Sequence, residues 1–262
     1  MRRDLVISPF GGDARAIVDL AVRAEDDGYD GVWVFDHITS LASLTAPGVG
    51  ASRDPFALLG AIAARTSRVR LGTLVANLHN RHPAQLALAM DTLGDLAPGR
   101  VVCGLGSGSA PSSPFAREDA ALRRAPAPAP ERRERLGEYV TSLRAIWNGS
   151  DAVGRYATDG LAGVVAGQAP PIVLGGGSDA MVELAGAVAD GINLNTAVGP
   201  RQAAQVARAR SLGDARVRAG ELPGGFEVSL FVAQPVGAGA DLGVGEVEVP
   251  DGVDRLVFLT RP

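Results

Sequence analysis

Asp36 and His37 stand side by side at the end of the apolar run GVWVFDH (31–37). A carboxylate next to an imidazole can orient a proton donor and tune its basicity. The bland alternative is an Asp that caps the next turn with the His packed against it. His79 and His82 lie in NLHNRHP and, with His37, complete the 3 histidines of the chain. A three-histidine metal site is disfavoured: His82 precedes Pro83 at a helix start, and no second carboxylate cluster accompanies it. Two glycine loops, GLGSGS (104–109) and GGGS (175–178), each follow a strand-like run. Glycine lets backbone approach a ligand closely, and Ser178 as an N-cap would open a helix whose free N–H groups favour an anion. Asp179 in that first turn would oppose a phosphate. Cys103 sits mid-strand and reads as core. No lysine is present, which excludes Schiff-base chemistry, and no G-x-S-x-G elbow has an Asp and His in order.

These residues need strands to end where they stand, and the chain supplies them. Apolar runs at 5–10, 31–37, 69–76, 101–106, 171–176, 191–196, 227–233 and 254–260 alternate with helical patterns. Asp13 or Asp54 before an apolar repeat, and Pro at the first helical position, mark helix starts. Helices are expected near 13–28, 54–67, 83–97, 131–147, 178–189 and from 200; residues 109–130 and 149–170 read as loops. Near-continuous apolar strands suit a parallel sheet covered on both faces. Eight candidate strands alternating with at least six helices in 262 residues predict an α/β fold, a (β/α)8 TIM barrel forming one domain over 1–262. An open doubly wound sheet is the weaker alternative, because no strand runs into G-x-G-x-x-G. The barrel is expected to be abbreviated at the C-terminus: the last helix is missing, and the Gly-rich stretch after 233 makes the seventh weak or absent. In a barrel the strand ends form the site, namely Phe10-Gly11, Asp36-His37, Ala76-Asn77, Gly106 to Ser109, Gly175 to Gly177, Asn195-Thr196, Gln234 and Thr260.

Composition narrows the class. Net charge is −4 and every one of the 25 basic residues is Arg; no basic stripe suggests nucleic acid. No uncharged apolar stretch is long enough for a membrane span, and the N-terminus lacks a signal-peptide core. With 1 cysteine there is no internal disulfide. A cytoplasmic protein is expected.

GYDGVWVFDH, DPFALLGAIAARTSRVRLGTLVANLHNRHPAQLALAMDTLGDLAPGRVVCGLGSGS, ERRERLGEYVTSLRAIWNG and PPIVLGGGSDAMVELAGAVADGINLNT, in this order over about 5–198, resemble the luciferase-like monooxygenase superfamily. GVDRLVFLT resembles its last strand. The resemblance implies a (β/α)8 barrel binding FMN or the deazaflavin coenzyme F420 at the strand ends. Asp-His after the second strand looks more like the F420-dependent branch, so coenzyme F420 is the expected cofactor and FMN the alternative.

The resemblance also assigns residues. It gives His37 the proton donor's place, with Asp36 touching the cofactor. A non-prolyl cis peptide behind the ring maps to Leu74–Val75, and Asn77 lies beside the ring. Phosphate-loop contacts carry to Ser107, Gly108, Gly176, Gly177 and Ser178, and a further contact to Asn195. Ser109 stands where sugar-phosphate dehydrogenases of the family have a Glu, so a phosphorylated sugar is not implied. Val198 replaces a cofactor-phosphate Lys, for which Arg81 or Arg201 are candidate substitutes.

The expected function is hydride transfer between F420 and a small organic substrate, with His37 as proton donor. An FMN-dependent monooxygenase and a non-catalytic flavin- or deazaflavin-binding barrel are the alternatives. DPFALLGAIAART and AQLALAMDTL have almost no polar face, which suggests burial on more than one side. Relatives dimerise through these helices, so a homodimer through 54–67 and 83–97 is expected. The substrate loops are expected at 38–53 and 107–130.

Overall fold

The computed structural model describes residues 1–11, 13–40, 52–165, 169–236 and 248–260. Its strands are β1 (Arg2–Ile7), β2 (Gly31–Val34), β3 (Arg70–Thr73), β4 (Ala76–Asn77), β5 (Val101–Gly106), β6 (Ile172–Gly176), β7 (Gly191–Leu194), β8 (Glu227–Val236) and β9 (Arg255–Thr260). The described pairings between these strands are parallel, and β1 pairs with both β2 and β9. β3 and β4 are two halves of one barrel strand, both paired to β5. The sheet therefore closes into an eight-position barrel, as the alternating pattern predicts.

Helices α1 (Ala14–Asp26), α2 (Pro55–Arg65), α3 (Pro83–Leu96), α4 (Ala116–Ala121), α5 (Ala129–Trp147), α6 (Asp179–Val188) and α7 (Pro200–Arg218) follow the strands. Their starts are written in side chains. Asp54 accepts from Phe56 and Ala57 N–H ahead of Pro55, and Ser178 accepts from Met181 N–H. His82 accepts from Ala84 N–H while Gln85 returns to the His82 N–H, a capping box. His82 is thus spent on helix entry.

Packing falls into two clusters. Alternate strand residues Val6, Trp33, Leu74, Val102, Val173 and Val257 fill the barrel interior. Leu5, Ile7, Val32 and Val34 point the other way and join Leu59, Ile62, Leu86 and Met90 of the helices. At the amino end of the interior, Trp33 Nε1 donates to Asp4 at 2.7 Å and Arg255 pairs with the same buried carboxylate.

Three expectations need correction or limits. Residues 109–130 are not a continuous loop: α4 lies inside them, and α5 begins at Ala129 within the Ala-Pro run. Five prolines and three serines punctuate that window, while AREDAA is a run of helix formers too short to impose a period. The strand expected over 69–76 is interrupted at Leu74–Val75, whose peptide bond is cis, as the family resemblance implies. The connection between β8 and β9 has turn and irregular structure over 248–254, and the rest of it lies outside the described residues, as does most of the substrate loop expected at 38–53.

Candidate active site

A cavity of ≈ 500 Å³ opens at the carboxyl ends of the strands, within the ordinary range for small-molecule sites. Asp36, His37, Leu74, Val75, Asn77, Ser107, Gly108, Ser109, Gly176, Gly177, Ser178 and Asn195 all line it. Sequence positions 36 to 195 converge here because each follows a strand of one barrel.

Glycines shape the wall. A Cβ on Gly175 would sit 2.5 Å from Val75 Cγ1, and one on Gly106 would collide with Cγ2 of the same residue. Val75 therefore seats itself between β5 and β6 only because both facing positions lack side chains. Gly108 takes φ +77°, and its carbonyl accepts from Arg132 Nη1 at 2.6 Å.

Asp36 and His37 both face the cavity, yet they do separate things. The Asp36 carboxylate accepts from Asn77 N–H at 3.0 Å and from Arg81 Nη1 at 3.1 Å. It fastens β4 and the following turn to the end of β2. The carboxylate on the imidazole is another one: Glu118 Oε2 lies 3.2 Å from His37 Nδ1. Its Oε1 accepts from Thr39 N–H at 2.8 Å and Thr39 Oγ1–H at 2.9 Å. Burial opposes the charge on Glu118, but the bonds from His37 and Thr39 outweigh it and hold the carboxyl below its ordinary range. Phe115 stacks on the His37 ring, centroids 3.9 Å apart and planes 18° off parallel. The pairing of Asp36 with His37 expected from adjacency is thus corrected. The Asp36 carboxylate is already taken by Asn77 N–H and Arg81, and α4 brings the partner of His37 from 81 residues away.

Sequence reasoning missed Phe115 and Arg132 among the cavity's lining residues, and Glu118, which stands behind His37. Glu118 and Asp119 are both buried, and Asp119 lies 3.4 Å from His79 Nδ1. An acidic pair on a segment taken for loop gave no signal of this. Arg132 lines the cavity; its Nε is buried without a hydrogen-bond partner. Arg81 bridges Asp36 and Asp54, and Arg201 lies 3.5 Å from Asp179. Asp179 also accepts from Gln205 at 2.6 Å, so its charge is partly answered at the start of α6. Val198 is exposed. Cys103 is buried, and burial pushes its thiol far up. Among the described residues no group of three or more His, Cys, Asp or Glu could hold a metal ion.

Comparison with known proteins follows the same lines. Residues 5–239 match the model of the luciferase-like monooxygenase family. A protein of Nakamurella multipartita named F420-dependent glucose-6-phosphate dehydrogenase is 35% identical over 182 residues, 67% of this chain and 50% of that one. A protein of the same name from Intrasporangium calvum is 40% identical over 139 residues, 51% of this chain and 38% of its own. The chain thus spans at most about half the length of these two relatives. Among solved structures, an F420-dependent secondary alcohol dehydrogenase in complex with an F420-acetone adduct superposes with TM-score 0.73 at 22% identity, over 88% of this chain and 68% of that one. The coenzyme F420-dependent tetrahydromethanopterin reductase of Methanopyrus kandleri gives 0.69 at 20%, over 88% and 65%. At such identities these two likenesses speak to the fold. The family match over residues 5–239, with the closed barrel and the cavity at its strand ends, makes this chain a member of the luciferase-like monooxygenase family.

Proposed function

We propose that the chain is an F420-dependent oxidoreductase acting on a small organic substrate, with His37 carrying the proton. The observation that carries this reading is His37 itself: an imidazole at the cavity wall, stacked on Phe115 and hydrogen-bonded to a buried carboxylate. The names of the curated relatives support the choice of cofactor.

The residues present fit a deazaflavin. Gly106 and Gly175 leave a smooth wall around Val75 where side chains would intrude. Arg132, with its unpartnered Nε, sits beside Gly108 and supplies positive charge near the glycine loops. In this reading Leu74, Val75 and Asn77, which line the cavity, would hold the ring. Ser107, Gly108, Ser109, Gly176, Gly177, Ser178 and Asn195 would hold the phosphate-bearing end, where free N–H groups at the start of α6 favour an anion. When bound, coenzyme F420 supplies a carbon centre that gives or takes hydride. His37 then gives a proton from Nε2 to the substrate atom next to the hydride-receiving carbon, or takes it back in the reverse direction. Asp36 contributes by fixing the strand end on which His37 stands.

Ser109 offers a hydroxyl where family sugar-phosphate dehydrogenases have a carboxylate, so glucose 6-phosphate is not carried over. A homodimer through 54–67 and 83–97 belongs to the same proposal. Ala57, Ala61 and Ala64 of α2 and Leu88 and Leu96 of α3 are exposed, an apolar surface suited to a second copy.

Fluorescence titration of the purified chain with oxidised F420 and, separately, FMN at fixed salt tests this. Saturable quenching by F420, with His37→Ala binding equally and losing turnover, is expected. Saturation by FMN alone would transfer the chain to the monooxygenase reading, and binding of neither would leave a non-catalytic barrel.

A further inference from the structure

We infer that Glu118 is the positioning residue that keeps the His37 proton on Nδ1 and so leaves Nε2 as the nitrogen that exchanges protons with substrate. The inference rests on the role of His37 proposed above. An ionised carboxylate only accepts hydrogen bonds. Thr39 N–H and Oγ1–H both point to Oε1, so Oε2 is committed to the imidazole at 3.2 Å. That contact is a hydrogen bond only if Nδ1 carries the proton. Thr39 stands two residues past His37, so one carboxylate grips the strand end at both places, and Phe115 holds the ring plane from the side.

The consequence is a defined direction for proton traffic. In substrate reduction the imidazolium loses its Nε2 proton to the substrate, and the neutral ring keeps its Nδ1 proton on Glu118. In oxidation Nε2 receives the proton released by the substrate, and Glu118 faces the cation that forms. The pair thus does for an imidazole on a barrel rim what an orienting carboxylate does in a nucleophilic triad. The parts come from two separate elements, the end of β2 and α4, and Asp119 secures α4 through His79 and Arg124.

The substitution Glu118→Gln inverts this arrangement without changing its size. Thr39 N–H still requires an acceptor, so the amide oxygen takes the place of Oε1. The amide NH2 then falls on Nδ1 and donates, which forces the ring proton onto Nε2. Long-range 15N–1H correlation spectra of the labelled chain report the tautomer directly, and with 3 histidines the His37 signals are assigned from His37→Gln. Expected are an Nδ1–H neutral ring in the native chain and an Nε2–H ring in E118Q. With F420 present, E118Q should keep the cofactor Kd and lose kcat by roughly 10²- to 10⁴-fold, the usual worth of positioned acid–base catalysis.

An Nε2–H ring in the native chain overturns the inference even if E118Q fails to fold. So does a tautomer unmoved by E118Q, or a moved tautomer with undiminished kcat. The spectra need no cofactor. A switched tautomer in a chain that binds no F420 therefore upholds the proton placement and defeats only the cofactor reading.

Discussion

At the scale of single residues, adjacency in sequence and partnership in space come apart at Asp36-His37. The pair was legible as chemistry because a polar dipeptide ends an apolar strand, and both residues do face the cavity. Their division of labour was not legible, because it depends on Glu118, 81 residues on from His37. Asp36→Asn separates the roles. It removes the anion from the Asp36–Arg81 contact while leaving an acceptor for Asn77 N–H. Urea unfolding should show a loss of about 1–3 kcal/mol, the cost of disturbing a buried charged hydrogen bond. The His37 tautomer should stay as it is in the native chain, which would not hold if Asp36 were its partner.

Among elements, long periodic segments and capped starts were readable: Asp54-Pro55, His82-Pro83 and Ser178 all open helices where expected. α4 was not, since six residues between a Pro-Ser run and Arg123 at φ 54° give neither period nor cap. The interruption of the third barrel strand followed from the family resemblance, not from residue pattern, for TLVAN reads as ordinary strand. Its seat can be tested. Gly175→Ala would put a methyl 2.5 Å from Val75 Cγ1, and the side chain must move into the cavity or the strands must part. Overpacking of this kind costs about 1–3 kcal/mol. Chemical denaturation should register that loss, and F420 quenching should weaken at least in proportion, because the displaced group is on the cavity wall. Leu88→Glu on α3 tests the other face of the element scale: sedimentation velocity should show the proposed dimer shifted to monomer, while the barrel's circular dichroism is retained.

For the molecule as a whole, two kinds of buried carboxyl give pH dependences of opposite sign. Burial pushes Asp4 from 3.8 up to about 6, against the pull of Arg255 and the Trp33 hydrogen bond. Between those values the folded chain holds a proton that the unfolded chain has released, so stability falls as pH rises from about 4 to 6. Glu25 behaves in reverse. Burial opposes its charge, but the N–H groups of Val69, Arg68 and Ser67 outweigh that and hold it below its ordinary 4.5. Its contribution is complete above the unfolded value and is lost as pH falls through the folded one, and Glu118 acts in the same direction. Thermal melts across pH 3–7 should therefore show Asp4→Asn losing the decline between 4 and 6 while keeping the acid collapse below it. Asp4 also matters to how the barrel closes. Its partner Arg255 is 251 positions away, and Thr260 Oγ1 reaches Val6 across 254. On the ribosome, β1 emerges long before β9 and must wait for it to be translated before its second side is paired. Until then the nascent sheet carries two open edges, β1 and β8, each a template for a neighbouring nascent chain. Yield of native protein should thus depend on translation speed and on holdase chaperones more than final stability alone would suggest.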